Sequence, residues 1–345
     1  MKVSISEIRE RAEKLFECVG VTKEDAAIIT DVILETEMRG VFTHGFFRVP
    51  RYVSCIKKGG IKAKSELKLD VDLPSMAAAD GEGGLGIILS YKAMKLAIEK
   101  AKATGIGMVC VRGSHHFGAA GYYTSMCANE GMLGMSMSNG DALVAVTNSR
   151  MKSIGNNPFS YSAPAGKYGK VVYDIAMSPT SDIKVLQLAK EGKSCPDGWV
   201  IDKNGNASND PNDYINGGVL IPFGGYKGYG LAMMVEVMAG VLSGSALTLD
   251  VHAWNSNPET SGNVGHMFLA VDIDRLMGID KFNERMEKML DGIKATPLAD
   301  GAKKIYYPGE IEAEKMAACL DTGFVEIADD TYVAFEACER ELGLR

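Results

Sequence analysis

Three of the chain's five histidines fall in two short stretches. His44 stands four residues before Arg48 in T-H-G-F-F-R, and His115 and His116 are adjacent in R-G-S-H-H-F-G-A-A-G-Y-Y. Imidazole is the side chain that moves protons near neutral pH. Guanidinium grips a carboxylate through two parallel hydrogen bonds. A small 2-hydroxy or 2-oxo acid needs one of each, a cation for its carboxylate and a proton carrier for its oxygen. His44 with Arg48 is therefore the first candidate pair; the plainer reading is that each histidine caps a loop or a helix. Asp174 ends the apolar run in V-V-Y-D-I-A-M-S, where a carboxylate can orient an imidazole and stabilise its cation. A turn or cap residue is the alternative there.

Two further stretches offer anion sites. S-H-H-F-G precedes a helical pattern, and the free N–H groups of a helix start can hold a phosphate. Ser114 as an ordinary N-cap is compatible with that reading. Lys227 lies among glycines at another helix start, G-G-Y-K-G-Y-G-L-A, with a solvated lysine as the alternative. Residues 81–86, G-E-G-G-L-G, spell G-x-G-x-x-G. A dinucleotide fingerprint must also follow a buried strand and be answered by an acid about 20 residues on. The preceding run S-M-A-A-A-D is short and small, and the next strand ends in Arg112. An arginine there leaves a 2′-phosphate partner open, but the reading is a glycine-rich strand-to-helix turn. D-K-N-G-N-A-S-N-D-P-N-D imitates a calcium loop, yet has Ala207 where the sharp turn needs Gly and Asp213 where Glu is usual. No H-E-x-x-H and no G-x-S-x-G occurs. The seven cysteines form no C-x-x-C pair, which argues against a structural metal and for reduced thiols.

The elements that must position these residues divide into two textures. Ile5, Ile8, Ala12, Leu15, Phe16 and Val19 recur at helical spacing, with Ser4 and Glu7 as a capping box. Thr22 and Asp25 open a second helix that runs to about Arg39 and stops at Gly40. The stretch V-F-T-H-G-F-F-R-V-P-R-Y follows as a loop. From residue 76 short apolar runs alternate with helical patterns, an α/β texture. Residues 228–243 read as one apolar helix, and the last 65 or so residues are mostly helical. The expected division is a helical domain from both termini, 1–75 plus 275–345, around an α/β domain, 76–274. A chain of 345 residues fits two domains. Net charge is −7 with no Lys/Arg cluster, which makes nucleic acid and anionic membranes poor candidates as partners. No apolar run spans a bilayer, and the N-terminus is a charged amphipathic helix, so the expected location is the cytoplasm.

T-H-G-x-x-R, S-H-H-F-G-A-A-G-Y-Y, G-N-N-P-F-S-Y-S-A-P, D-I-A-M-S, G-G-Y-K-G-Y-G-L-A and Y-Y-P-G-E come in this order. Together they resemble the malate/L-lactate dehydrogenase family, which also holds ureidoglycolate, sulfolactate and diketogulonate oxidoreductases and cyclic-imine carboxylate reductases. The resemblance spans nearly the whole chain. It implies a non-Rossmann α/β domain that binds NAD or NADP, a homodimer, and hydride transfer to or from a small anionic substrate without a metal. It implies His44 as the acid/base, Arg48 as the carboxylate clamp with Thr43 beside it, and Asp174 polarising the imidazole. His116 falls where some members place the catalytic histidine and others a cofactor contact. Ile175, Ala176, Lys227, Pro308, Gly309 and Glu310 match cofactor-contacting positions. Asn156 falls at the substrate end, where many relatives have G-T-N-P. That position, Gly140-Asp141 and V-T-N-S-R-M-K-S with Arg150 and Lys152 depart from the family pattern and leave the substrate open. The alternatives are an NADPH-dependent reductase of a cyclic imine such as pyrroline-2-carboxylate, and a non-catalytic binding protein on the same fold.

Overall fold

The computed structural model describes all 345 residues, Met1–Arg345. Apolar spacing commits the first segment to helix Ile5–Cys18, which buries Ile8, Ala12, Leu15 and Phe16. Its expected capping box does not form. Ser4 instead ends the strand Lys2–Ser4, which pairs antiparallel with Phe324–Glu326. The Ser4 hydroxyl meets Ser6, and Glu7 turns to Arg11. Pairing with the far end of the chain overrides the local cap. Thr22 does cap Lys23–Met38, accepting from the Asp25 N–H.

The strand pair draws the two termini together. Arg11 donates two hydrogen bonds, at 2.9 and 2.7 Å, to the carboxylate of Glu339 on helix Asp329–Glu341. Phe16, Ile29, Ile33, Tyr52 and Phe46 join Phe335 and Val325 in the largest apolar cluster. Helices from both chain ends thus share one core.

The middle of the chain forms a seven-stranded sheet. Its order is Lys68–Asp72, Met76–Asp80, Ile106–Ser114, Val264–Asp272, Met132–Ser138, Phe159–Pro164, Lys170–Ile175. Only Met76–Asp80 and Ile106–Ser114 run parallel; every other neighbouring pair is antiparallel. A dinucleotide fold of the doubly wound type has a mostly parallel sheet, so this α/β fold is not of that type. Side chains alternate across it as strands require. Val109, Val111, Phe268 and Ala270 face helices Gly86–Thr104 and Ala120–Asn129, while Cys110, Met137 and Met267 pack with Ala232 and Val235 of Tyr226–Val235.

The structure bears on three local readings. The apolar helix expected over 228–243 is α-helical only over Tyr226–Val235 and widens to a π-turn at Glu236–Val241. Buried Glu236 explains the break: it accepts from Asn139, Asn157 and the Thr248 N–H. The calcium-like loop is a hairpin turn in which Asp202 accepts from the Asn204 and Asn206 N–H groups. Two segments lie across the expected domain limits: Lys68–Asp72 is the sheet's edge strand, and Ile279–Lys294 packs Leu290 onto Ala165 and Val171. No helix is long and apolar enough to cross a membrane.

Candidate active site

The stretch expected as a loop after Gly40 is two tight 3-10 turns, Phe42–His44 and Phe46–Arg48, running into helix Val49–Lys58 with Pro50 in its first turn. Fully buried Phe46 packs edge-to-face on Phe335 at 5.6 Å and anchors the turns in the terminal core. His44 and Arg48 therefore project from a fixed segment. The Thr43 hydroxyl lies 3.0 Å from His44 Nδ1, and Arg48 Nε donates to the Thr43 carbonyl at 2.7 Å. The Arg48 guanidinium stands over the rings of Trp254 and Phe47, at 5.5 and 5.3 Å. It has no carboxylate within 4.0 Å, so its outer N–H groups are free for an anion.

His115 and His116 sit between strand Ile106–Ser114 and helix Ala120–Asn129. The His116 ring stacks between Trp254 at 4.5 Å and His44 at 5.4 Å, nearly parallel to both. Its Nδ1 lies 2.5 Å from the hydroxyl of Tyr52, a fully buried residue of Val49–Lys58. His115, 1 % exposed, has no partner on either ring nitrogen and meets Trp254 edge-on. Burial drives His44 down to about 3, helped by Arg48, and His115 to about 4. Burial, then Arg48 and His44, hold His116 well below 6.5. All three are neutral bases at physiological pH.

The glycine turn lies behind this site. None of residues 81–86 lines the cavity. Gly86 touches the histidine segment from below: a Cβ there would stand 2.1 Å from the His115 carbonyl oxygen and 2.4 Å from that of His116. Arg112 is paired with Asp70 and Asp80, so it offers nothing to a 2′-phosphate.

One cavity of about 800 Å³ joins these groups, within the roughly 300–1,000 Å³ of ligand pockets. Thr43, His44, Arg48, His116, Asn156, Asp174, Ile175, Ala176, Pro308 and Gly309 all line it. Gly309 is left-handed at φ 88, and a Cβ there would crowd the Val172 carbonyl at 2.9 Å. Asp141 and Asp182 line the same wall as Arg48; burial first, then Asp182, raises the Asp141 carboxyl.

Several expectations change here. Asp174 bonds no imidazole. It accepts the Gly121 N–H at 2.7 Å, in the first turn of Ala120–Asn129. Asp174 is exposed to the cavity, and desolvation by the protein walls around it raises its carboxyl to about 6 against that hydrogen bond. A carboxylate thus occupies the helix start where a phosphate was expected. Ser114 is not an N-cap; it ends its strand, and its hydroxyl meets His266 Nε2 at 2.7 Å. Lys227 is exposed and outside the cavity, at the start of Tyr226–Val235. Glu310 is also outside, turned away to Lys294, Lys304 and the Tyr307 N–H. Tyr52 and Trp254 went unmarked in the sequence. The signal for Tyr52 was its place one helical turn after Arg48, on the same face.

A neutral proton carrier beside an unpaired guanidinium in one cavity suits a small organic acid. The sequence profile described as malate/L-lactate dehydrogenase matches residues 3–336. The malate dehydrogenase of Pyrococcus abyssi is 40% identical over 299 residues, 85% of this chain and 82% of that one. The malate/(S)-sulfolactate dehydrogenase of Methanothermus fervidus is 35% identical over 340 residues, 96% and 98% of the two chains. Among solved structures, the sulfolactate dehydrogenase of Methanocaldococcus jannaschii superposes with a TM-score of 0.93 at 32% identity, covering 99% of this chain and 98% of that one. The chain belongs to the malate/L-lactate dehydrogenase family and is a hydroxy-acid oxidoreductase.

Proposed function

We propose that the cavity takes a nicotinamide coenzyme, NAD or NADP, beside a small anionic 2-hydroxy or 2-oxo acid. The observation that carries this reading is the unpaired Arg48 fork held beside two stacked, neutral imidazoles. His116, Ile175, Ala176, Pro308 and Gly309 would hold the coenzyme along strand Lys170–Ile175. The coenzyme, when bound, supplies or accepts the hydride exchanged with the substrate's C2. Arg48 binds the carboxylate and fixes C2 in place. Thr43 orients both His44 and Arg48, and Asn156 lines the substrate end. In oxidation His44, held uncharged by burial, accepts the hydroxyl proton. The substrate's negative charge raises the basicity of His44 and supports the imidazolium that results. In reduction the same proton returns to oxygen. Asp174 acts through the Gly121 N–H on the segment carrying His116.

Lys227 and Glu310 act outside the cavity in this reading. Lys227 belongs to a helical face that exposes Leu231, Met233, Met234, Val237, Val241 and Leu242. A run of that kind marks a protein contact, and we assign it to a homodimer. Seven free cysteines accord with a cytoplasmic enzyme.

The test is a panel of malate, lactate, sulfolactate and ureidoglycolate, read at 340 nm with each coenzyme, for wild type, His44→Ala and His116→Ala. His44→Ala should lower kcat about 100-fold or more while NADH fluorescence still reports binding. Unchanged turnover in that variant removes His44 as the acid/base. Activity confined to pyrroline-2-carboxylate with NADPH would move the substrate to the cyclic imines.

A further inference from the structure

The segment carrying His44, Arg48 and Tyr52 is held from behind by a single acid. Glu37, on helix Lys23–Met38, is 2 % exposed, and its Oε2 accepts the Phe46 N–H at 2.8 Å. Phe46 opens the turn that runs through Arg48 into Val49–Lys58, so this N–H is one of the donors a helical start leaves unpaired. Glu37 is therefore an N-cap supplied by another helix. Gly45 rests on the same carboxyl. A Cβ at Gly45 would stand 1.9 Å from Glu37 Oε2 and 2.9 Å from its carboxyl carbon. No cation lies within 4.0 Å of Glu37. A buried acid without a counter-charge is costly to keep. Its one bond goes to the hinge between the two residues that face the cavity.

We infer that Glu37 is the positioning residue of the carboxylate clamp, fixing through Phe46 N–H and Gly45 where Arg48 and Tyr52 stand relative to His44. The inference rests on His44 and Arg48 as the substrate-handling pair. A cap of purely structural value would change thermal stability and leave anion affinity alone. A positioning role moves affinity in a folded protein and is rescued by any side chain that restores the acceptor oxygen.

The experiment uses the full chain, with oxalate as an anion probe read by tryptophan fluorescence, since Trp254 adjoins Arg48. NADH binding and 2-oxo acid kinetics are measured alongside. Glu37→Ala should weaken oxalate and raise KM about tenfold, with NADH affinity and circular dichroism nearly unchanged. Glu37→Gln keeps an oxygen facing Phe46 and should recover oxalate affinity to within about threefold. Should Glu37→Ala not fold, Glu37→Asp withdraws the carboxyl by one methylene and should weaken oxalate in the same way. Oxalate affinity unmoved in the folded Ala or Asp variant, or Gln as impaired as Ala, overturns the inference. Arg48→Lys separates it from the functional reading: wild type that binds oxalate through Arg48 yet turns over no hydroxy acid refutes the activity and leaves the clamp. Wild type that does not bind oxalate refutes the clamp, and the substrate panel alone then decides the activity.

Discussion

Half-buried Arg48 lies against aromatic faces instead of a carboxylate partner, so its charge stays available to a ligand. A salt bridge inside the cavity would have to break on every turnover. Tyr52 does for His116 what Asp174 was expected to do for an imidazole. The Tyr52 hydroxyl lies 2.5 Å from Nδ1 and 3.4 Å from the His116 carbonyl, and with the Gly118 N–H also facing Nδ1 at 3.4 Å we assign the phenol as donor to Nδ1. That assignment leaves the proton of the neutral ring on Nε2, making His116 a donor toward the cavity and His44 the base. Tyr52→Phe tests it. The ring stays packed in a fully buried site, and only the hydroxyl is lost. The expected result is a fall in kcat of about tenfold or more with KM within about threefold, measured by steady-state kinetics on one 2-oxo acid. Equal loss in KM alone would mean that Tyr52 serves binding instead. His44, Arg48 and His116 were legible in the sequence because two histidine stretches and a guanidinium are rare enough to stand out. Tyr52 and Trp254 were not, because buried aromatics are ordinary core residues until a fold places a polar ring against them.

Elements were legible where local chemistry decides and opaque where distant pairing does. Thr22 caps its helix as spacing dictates; Ser4 is claimed by the strand Phe324–Glu326. The alternation of apolar runs and helices read correctly as α/β, but strand direction depends on which segments meet, and the antiparallel pairings around Val264–Asp272 join residues more than 120 positions apart. The 42–48 segment read as a loop because 3-10 turns have no hydrophobic period to detect. The glycine turn shows the opposite case, a motif whose letters promise a phosphate cradle and whose geometry supports a different site. Gly86 is tight because the backbone of His115 and His116 lies on it. Gly86→Ala should force that segment to move, costing about 1–3 kcal/mol of stability and most of the activity. Gly83→Ala is the control: it strains a left-handed φ of +84 but meets only Ser261 Oγ at 3.7 Å. It should cost about 1 kcal/mol and leave turnover intact. Thermal melts with turnover assays check both, and equal activity in the two variants would detach the turn from the site.

The whole molecule carries an unusual set of buried ionisable groups, and their signs oppose one another. His266, fully buried between the hydroxyls of Ser114 and Ser138, is pushed down to about 3, and His115 to about 4, in each case by burial. A depressed histidine stabilises the fold above its unfolded pKa of about 6.5, and that contribution is lost as pH falls below it. Glu37, pushed up to about 7 by burial against the Phe46 N–H, works the other way. Its contribution is complete below about 4.5 and is lost as pH rises toward 7. His44, His116 and Asp174 line the cavity, so solvent there discounts what their shifts contribute to stability. At pH 5.5 the unfolded chain binds about two protons on the histidines that the native state refuses, and the native state keeps about one on Glu37. The net of about one proton makes stability rise by about 1.4 kcal/mol per pH unit, so the histidines win below pH 6.5. Above that their contribution is complete, and Glu37 alone turns the curve slightly down. Melting temperature should therefore climb from pH 5 to a maximum near 6.5–7, by roughly 2–3 °C per unit for a chain of this size. Glu37→Gln removes the opposing proton and should steepen that climb, while His266→Gln should flatten it. A wild-type maximum at pH 5 would mean that the buried acids outweigh the buried imidazoles.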